Sequence, residues 1–326
     1  MFTVSDILEK HYPKIVDKPL LSKTLSCVLR HLLHEREMQE FAQEYPHYQG
    51  LDFAEQVLQY FNISYSARDV EKERLPNQGK LVIIANHPIG SLDALVLIKL
   101  VSEVRQDIKV IGNDMLMALK PMLTILLPVN NIHGGTAKQH IQNIQTHLQN
   151  EGVVIVFPAG EVSRLRPQGI RDTRWQSGFL RIAKQAKSPI LPVFIDAKNS
   201  TLFYGLSMIY KPLASMLLVK EMFNHKRQHI PMRIGELIPF ESYSNNKITR
   251  IEHVALFKKH LYKIGLGKNR ILKPTQDMQP SDNRVQLQHA LITQQKDSPK
   301  PNIAKLTYLH HPITRSTIPH THVATH

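Results

Sequence analysis

The sequence predicts an α/β fold with a largely parallel central sheet flanked by helices, an N-terminal helical segment and a disordered C-terminal tail. Three observations carry this. Between residues 76 and 272, short apolar runs alternate with longer amphipathic ones, the rhythm of strands joined by crossover helices. Up to residue 75 the apolar residues recur at helical spacing instead. After about Lys273 the chain turns polar and rich in Gln, Pro and His. The expected segments are therefore 1–75, 76–272 and 273–326.

In the first segment, Leu20, Leu21, Leu25, Val28, Leu29, Leu32 and Leu33 form one helical set, and Phe53, Val57, Leu58 and Phe61 a second. Cys27 lies inside the first apolar run, which predicts a buried structural thiol. Asp69 to Gln78 is charged and ends in turn residues, which sets the boundary. Strands are expected at 80–85, 108–112, 153–157 and 190–195, with helices at 92–104, 137–150 and 175–187 between them. Residues 248–265 predict a basic amphipathic helix. Ile248, Ile251, Val254, Phe257, Leu261 and Ile264 share one face, and core packing is preferred to membrane contact for it.

The 326 residues are 42% hydrophobic, enough to bury a large core. A lone cysteine excludes an internal disulfide or a cysteine-based zinc site and makes a reducing cytosol the default compartment. The N-terminus lacks the pattern of a secretory signal, and no run is long and apolar enough to span a bilayer. The net charge is +14, of which the tail from Gln276 carries +2, so +12 belongs to residues 1–275. Such a balance favours anionic partners. No helix-turn-helix, zinc module or aromatic RNA-binding motif is present, so no nucleic-acid partner is expected. The tail histidines, His289, His310, His311, His320, His322 and His326, show no regular ligand spacing, and no metal site is expected.

Sites in an open parallel sheet form beyond the carboxyl ends of strands. After the first predicted strand comes Asn86-His87-Pro88-Ile89-Gly90-Ser91-Leu92-Asp93. A Pro-x-Gly turn can fold Asp93 back on His87, fixing the imidazole tautomer and leaving the other nitrogen free as a general base. A turn histidine beside an N-capping aspartate has the same spacing. After the third strand, Pro158, Gly160 and Ser163 predict a tight turn whose N–H groups can cradle phosphate or an oxyanion. From Arg164 to Lys187 there are seven Lys/Arg and a single acid, Asp172. That density predicts an anion-binding wall or a solvated basic face.

Together the two blocks resemble the glycerolipid acyltransferase family, which includes lysophosphatidate-type enzymes. Its marks are a His and an Asp with four residues between them, then Phe-Pro-Glu-Gly-Thr-Arg-Ser, then a Pro-rich apolar strand. Here those places are held by His87 and Asp93, by Phe157-Pro158-Ala159-Gly160-Glu161-Val162-Ser163-Arg164, and by Pro189-Ile190-Leu191-Pro192-Val193. The resemblance covers about residues 70–240. Five residues separate His87 from Asp93, Ala159 replaces the glutamate, and Glu161 follows two places on. Both departures look like a bacterial branch often labelled hemolysin-like, which includes O-acyltransferases of ornithine- and glycine-lipid synthesis. The block Leu127-Pro128-Val129-Asn130-Asn131 lacks the basic residue usual in phosphate-acceptor members, which leaves room for a lyso-amino-acid lipid.

The resemblance implies an O-acyltransferase in membrane lipid biosynthesis, acting on a lyso-ornithine-type or lysophosphatidate-type acceptor. His87 and Asp93 would be catalytic, and Asn86, Gly90, Phe157, Pro158, Gly160, Glu161, Ser163 and Arg164 would bind substrate. The acyl group would come from acyl-carrier protein or acyl-coenzyme A, with no cofactor. The protein would sit peripherally on an anionic membrane surface, at the inner face of the cell membrane. A non-enzymatic lipid-binding or membrane-perturbing protein is the alternative expectation.

Overall fold

Leu81, Val82, Ile83, Ile84 and Ala85 carry no polar side chain, and all five are fully buried. A parallel strand reads this way when both of its faces are covered. These residues form β2 at the centre of the sheet. In chain order the strands are β1 (Ser64–Ser66), β2 (Leu81–Ala85), β3 (Ile108–Gly112), β4 (Leu126–Pro128), β5 (Val153–Val156), β6 (Arg164–Arg166), β7 (Gly169–Arg171), β8 (Ile190–Ile195) and β9 (His229–Ile234). The main sheet runs β1-β9-β8-β2-β5-β3-β4, and β6 with β7 makes a separate two-stranded hairpin. Every neighbouring pair in the main sheet is parallel except β8 with β9. The computed structural model describes Val4, Glu9 and residues 19–112, 116, 119–128, 135–209, 211–244 and 248–267. The expected tail, 273–326, lies outside the described residues, as do Val129, Asn130 and Asn131.

Alternation along the central strands divides the core into two layers. Leu81, Ile83, Ala85, Val153, Ile155, Leu191 and Val193 face the helices Glu35–Glu44, Gly50–Tyr60 and Ser91–Ser102. Val82, Ile84, Val154, Val156 and Ile190 face Gly135–Gln149, Gly178–Ala186 and Arg250–Gly265. β5 and β8 flank β2 with Ile83 opposite both Ile155 and Leu191. The carboxyl ends of the three strands therefore converge, and the segments that follow them meet.

The strands and helices expected between residues 80 and 195 are all present, with ends shifted by a few residues. Five strands were not expected: β1, β4, β6, β7 and β9. β1 lies in the stretch read as wholly helical. Its three residues are too few for a periodic signal, and it exists because β9 offers an open edge. Cys27 is exposed rather than buried. Leu29 is the residue of the helix Pro19–Leu32 that faces inward, whereas Val28 is 56% exposed. Along Arg250–Gly265, Val254, Phe257, Leu261 and Ile264 pack into the core as expected, and Ile251 points to solvent. Among the described residues no helix is long and apolar enough to cross a membrane.

The helices before the sheet share its core: Phe41, Phe53, Val57 and Phe61 join the same apolar cluster as β2 and β8. Two polar devices fasten them. Lys226 stands over the rings of Tyr60, Phe61 and Phe223 at 5.1, 5.6 and 5.0 Å. Such cation–π contacts contribute about 0.5–1 kcal/mol at exposed sites and more when desolvated. Glu71, with its side chain 1% exposed, accepts from Arg68 Nε at 2.8 Å, Arg233 Nε at 3.1 Å and the Ile234 N–H at 3.1 Å. Burial pushes its carboxyl up, but these three partners outweigh burial and hold it below the usual glutamate value.

A depressed carboxylate stabilises the fold above its unfolded pKa, and that stability is lost as pH falls through the lower folded value. Glu71→Gln is therefore expected to cost about 2 kcal/mol at neutral pH. In urea titrations the gap from wild type should close as pH drops below about 4. A gap independent of pH would mean that the charge of Glu71 contributes nothing.

Candidate active site

β2 ends at Ala85, and the chain must turn at once into the helix Ser91–Ser102. Gly90 makes this possible by adopting φ +100°, a conformation that side chains with a Cβ avoid. The helix N-terminus leaves backbone donors without partners. Asp93, in its first turn, meets two of them: Oδ2 accepts the N–H groups of Ile89 and Gly90, each at 2.9 Å. Asp93 is thereby folded back under the turn and is completely buried.

His87 Nδ1 lies 3.0 Å from the same Oδ2, with the His87 side chain 19% exposed. The contact is close but bent. Nδ1 has no well-directed hydrogen bond, and Asp93 Oδ1 has no partner among the described residues. The short distance defines the pair. Burial pushes the Asp93 carboxyl up from its ordinary value, while His87 and the two backbone donors oppose the shift. A carboxylate that is costly to ionise in isolation gains most from an adjacent imidazolium, so positive charge on His87 is stabilised as it develops. With Nδ1 turned to Asp93, Nε2 is the nitrogen left for a substrate proton. The Phe157 ring packs against the imidazole, centroids 4.5 Å apart and planes tilted by 33°.

The other expected site residues fall into two groups. Asn86 is a tether: its Nδ2 donates to Ile195 O at 2.8 Å and its Oδ1 accepts the Ile195 N–H at 2.7 Å. Its amide thus continues the β2–β8 ladder past the end of the strand. Ser163 is also fully engaged. Its N–H donates to His87 O at 2.7 Å and its hydroxyl to Asp172 Oδ1 at 2.6 Å. The Pro158 carbonyl accepts the Gln176 N–H at 2.8 Å, and the Gly160 N–H donates to Phe157 O at 3.1 Å. Gly160 closes this turn at φ +66° with open space around its Cα.

Of the arginines expected as a wall, Arg166 and Arg174 are exposed and Arg171 lies over the Tyr262 ring at 4.9 Å. Arg164 alone turns inward, with its side chain 8% exposed. Its Nη2 is 3.5 Å from Glu161 Oε2, and its guanidinium stands 5.5 Å from the Phe203 ring centroid. Nε and Nη1 are buried with no hydrogen-bond partner among the described residues. Unpaired donors on a buried cation carry a large desolvation cost, which an anion placed there would relieve.

Sequence reasoning missed the residues that hold this framework. Asn199, beyond β8, donates to Pro88 O at 3.3 Å, and its Oδ1 is 2.9 Å from His225 Nε2. Glu221 accepts the Ser200 N–H and hydroxyl, each at 2.7 Å. Asp172 stood out in the sequence only as the lone acid in a basic stretch.

An imidazole against a buried carboxylate at the end of a parallel strand, with no hydroxyl partner among the described residues, has the arrangement a general base needs. Ser163 donates to Asp172 and not to His87, so it is not the nucleophile. The chain belongs to the acyltransferase family: the family model described as Acyltransferase matches residues 12–269. It is an acyltransferase, and the non-enzymatic alternative is set aside. A lyso-glycine lipid O-acyltransferase of Bacteroides thetaiotaomicron is 28% identical over 271 residues, 81% of this chain and 97% of the relative. A protein of the same name from Phocaeicola vulgatus is 25% identical over 243 residues, 72% of this chain and 86% of the relative. The crystal structure of the 1-acyl-sn-glycerophosphate acyltransferase PlsC from Thermotoga maritima superposes with a TM-score of 0.44 and 15% identity, covering 68% of this chain and 79% of that one.

His87→Ala should lower turnover by about 10²–10⁴-fold. Asp93→Asn should lose activity on the same scale yet keep its melting temperature at neutral pH, because it removes a carboxylate that burial disfavours. Turnover assays with thermal melts check both. Retention of near-wild-type activity by either variant would dismiss the pair as the base.

Proposed function

We propose that this protein transfers a fatty acyl group from an acyl thioester to the hydroxyl of a lysolipid in membrane lipid biosynthesis. The observation that carries the reading is the His87–Asp93 contact at 3.0 Å, with Nε2 turned away from it and without a hydrogen-bond partner among the described residues. His87 Nε2 takes the acceptor's hydroxyl proton as that oxygen attacks the thioester carbonyl. The new C–O bond gives a tetrahedral oxyanion, stabilised by backbone N–H groups near Gly160 other than its own, which Phe157 O takes, or by those of a neighbouring loop. Collapse breaks the C–S bond, and the thiolate leaves as a thiol with the proton from His87. Asp93 orients the ring and offsets its transient charge.

The donor is acyl-carrier protein or acyl-coenzyme A. Both are anionic and suit the exposed Arg166 and Arg174, and neither requires a separate cofactor. The acceptor is a lyso-amino-acid lipid with a free carboxylate. Two points support this choice over lysophosphatidate: the names of the two relatives above, and the unpaired Nε and Nη1 of Arg164 beside the catalytic turn. Lyso-glycine and lyso-ornithine lipids both fit. Work on such a lipid places the protein peripherally on an anionic membrane at the inner face of the cell membrane.

The test pairs wild type and His87→Ala with both thioester donors against lyso-glycine lipid, lyso-ornithine lipid and lysophosphatidate. Diacylated product from an amino-acid lipid, made by wild type only, is expected. Product from lysophosphatidate alone would refute the acceptor class. Arg164→Gln should raise KM for the carboxylate acceptor about 10–100-fold, the worth of a charged hydrogen bond or two. It should leave KM for the acceptor's methyl ester nearly unchanged; equal effects on both would remove Arg164 from headgroup recognition.

A further inference from the structure

We infer that Asp172 is the positioning residue for the catalytic base, holding the His87 backbone at the angle that transfer requires. The inference rests on the acyl-transfer reading above and adds a residue to it. β2 stops at Ala85, so His87 has no sheet neighbour to define its main chain. Its N–H donates instead to Asp172 Oδ1 at 3.1 Å, and its C=O accepts the Ser163 N–H at 2.7 Å. Ser163 closes the loop by giving its hydroxyl to the same Oδ1 at 2.6 Å. One carboxylate oxygen thereby clamps the residue that carries the base to the segment that follows β5.

Asp172 is itself fixed on every side. It is 3% exposed. Trp175 Nε1–H donates to Oδ2 at 2.8 Å. The Asp172 N–H donates to Tyr262 Oη at 2.7 Å, and the Asp172 carbonyl accepts from Lys258 Nζ at 2.8 Å. Two residues of the helix Arg250–Gly265, more than 85 positions along the chain, thus set where this carboxylate stands. Asp93 fixes the imidazole from the ring side, and Asp172 fixes it from the backbone side. The carboxylate form is required. The His87 N–H, the Ser163 hydroxyl, the Trp175 N–H and the Tyr262 hydroxyl face it, and each can donate. An asparagine amide would turn one oxygen into a donor pointed at a donor.

Misplacing a reacting group by about 1 Å costs on the order of 10²-fold in rate. Asp172→Asn should therefore lower kcat about 10²-fold while the acceptor KM stays within threefold. Ser163→Ala, which removes one donor from Oδ1 and leaves the fold intact, should lower kcat about tenfold at unchanged KM. Because Asp172 acts through His87, adding Asp172→Asn to His87→Ala should bring no further loss. Full kcat in either single variant would overturn the inference. So would a rise in acceptor KM alone, or a loss that multiplies with that of His87→Ala. Should Asp172→Asn fail to fold, Ser163→Ala decides by the same kcat and KM criteria. Wild type inert on every acceptor sinks the acyl-transfer reading and this one together, whereas active wild type beside an unaffected Asp172→Asn sinks this one alone.

Discussion

A carboxylate without solvent, placed under a turn that needs it twice, is the constraint around which this protein is organised. Asp93 Oδ2 accepts two backbone N–H groups at the start of a helix and stands 3.0 Å from His87 Nδ1. Those donors and the imidazole oppose the cost of burying the charge, and burial still holds the carboxyl above its ordinary value. The same oxygen therefore ends a strand, starts a helix and stands against the His87 ring. Gly90 at positive φ lets the chain approach closely enough for this.

The surrounding fold serves that turn. β5 and β8 flank β2, so the segments leaving all three strands reach the same place. Each supplies a different kind of restraint. The segment after β5 brings Phe157 against the ring and Ser163 against the backbone. From beyond β8, Asn199 reaches the Pro88 carbonyl. Asn86 replaces a missing rung between β2 and β8 with its side-chain amide. Arg164 departs from this economy as Asp93 Oδ1 does: its buried Nε and Nη1 have no hydrogen-bond partner among the described residues.

Much of this was legible in the sequence, for definite reasons. The apolar runs at 81–85, 153–156 and 190–195 announce strands covered on both faces, and their polar trailers mark the site. Spacing placed Asp93 near His87 because a Pro-x-Gly turn has few ways to fold. The roles of Asn86 and Ser163 were not legible, since a polar residue beside a catalytic one looks the same whether it meets substrate or backbone. Asp172 was hidden because two of its partners, His87 and Tyr262, come from distant parts of the chain. β1 escaped notice because an edge strand of three residues is too short for a periodic signal, whereas β9, which alternates with Ile230, Met232 and Ile234 buried, was simply overlooked. Cys27 was misjudged because its apolar neighbours serve the opposite face of the helix.

The central claim is that Asp93 holds His87 with its proton on Nδ1 and Nε2 ready to accept. The ¹⁵N chemical shifts of the His87 ring, assigned by difference from His87→Ala in ring-labelled protein, measure this directly. At a pH where the ring is neutral, the account predicts a protonated Nδ1 and a bare Nε2 in wild type, with that preference lost in Asp93→Asn. A proton on Nε2 in wild type, or the same tautomer in both proteins, would contradict it.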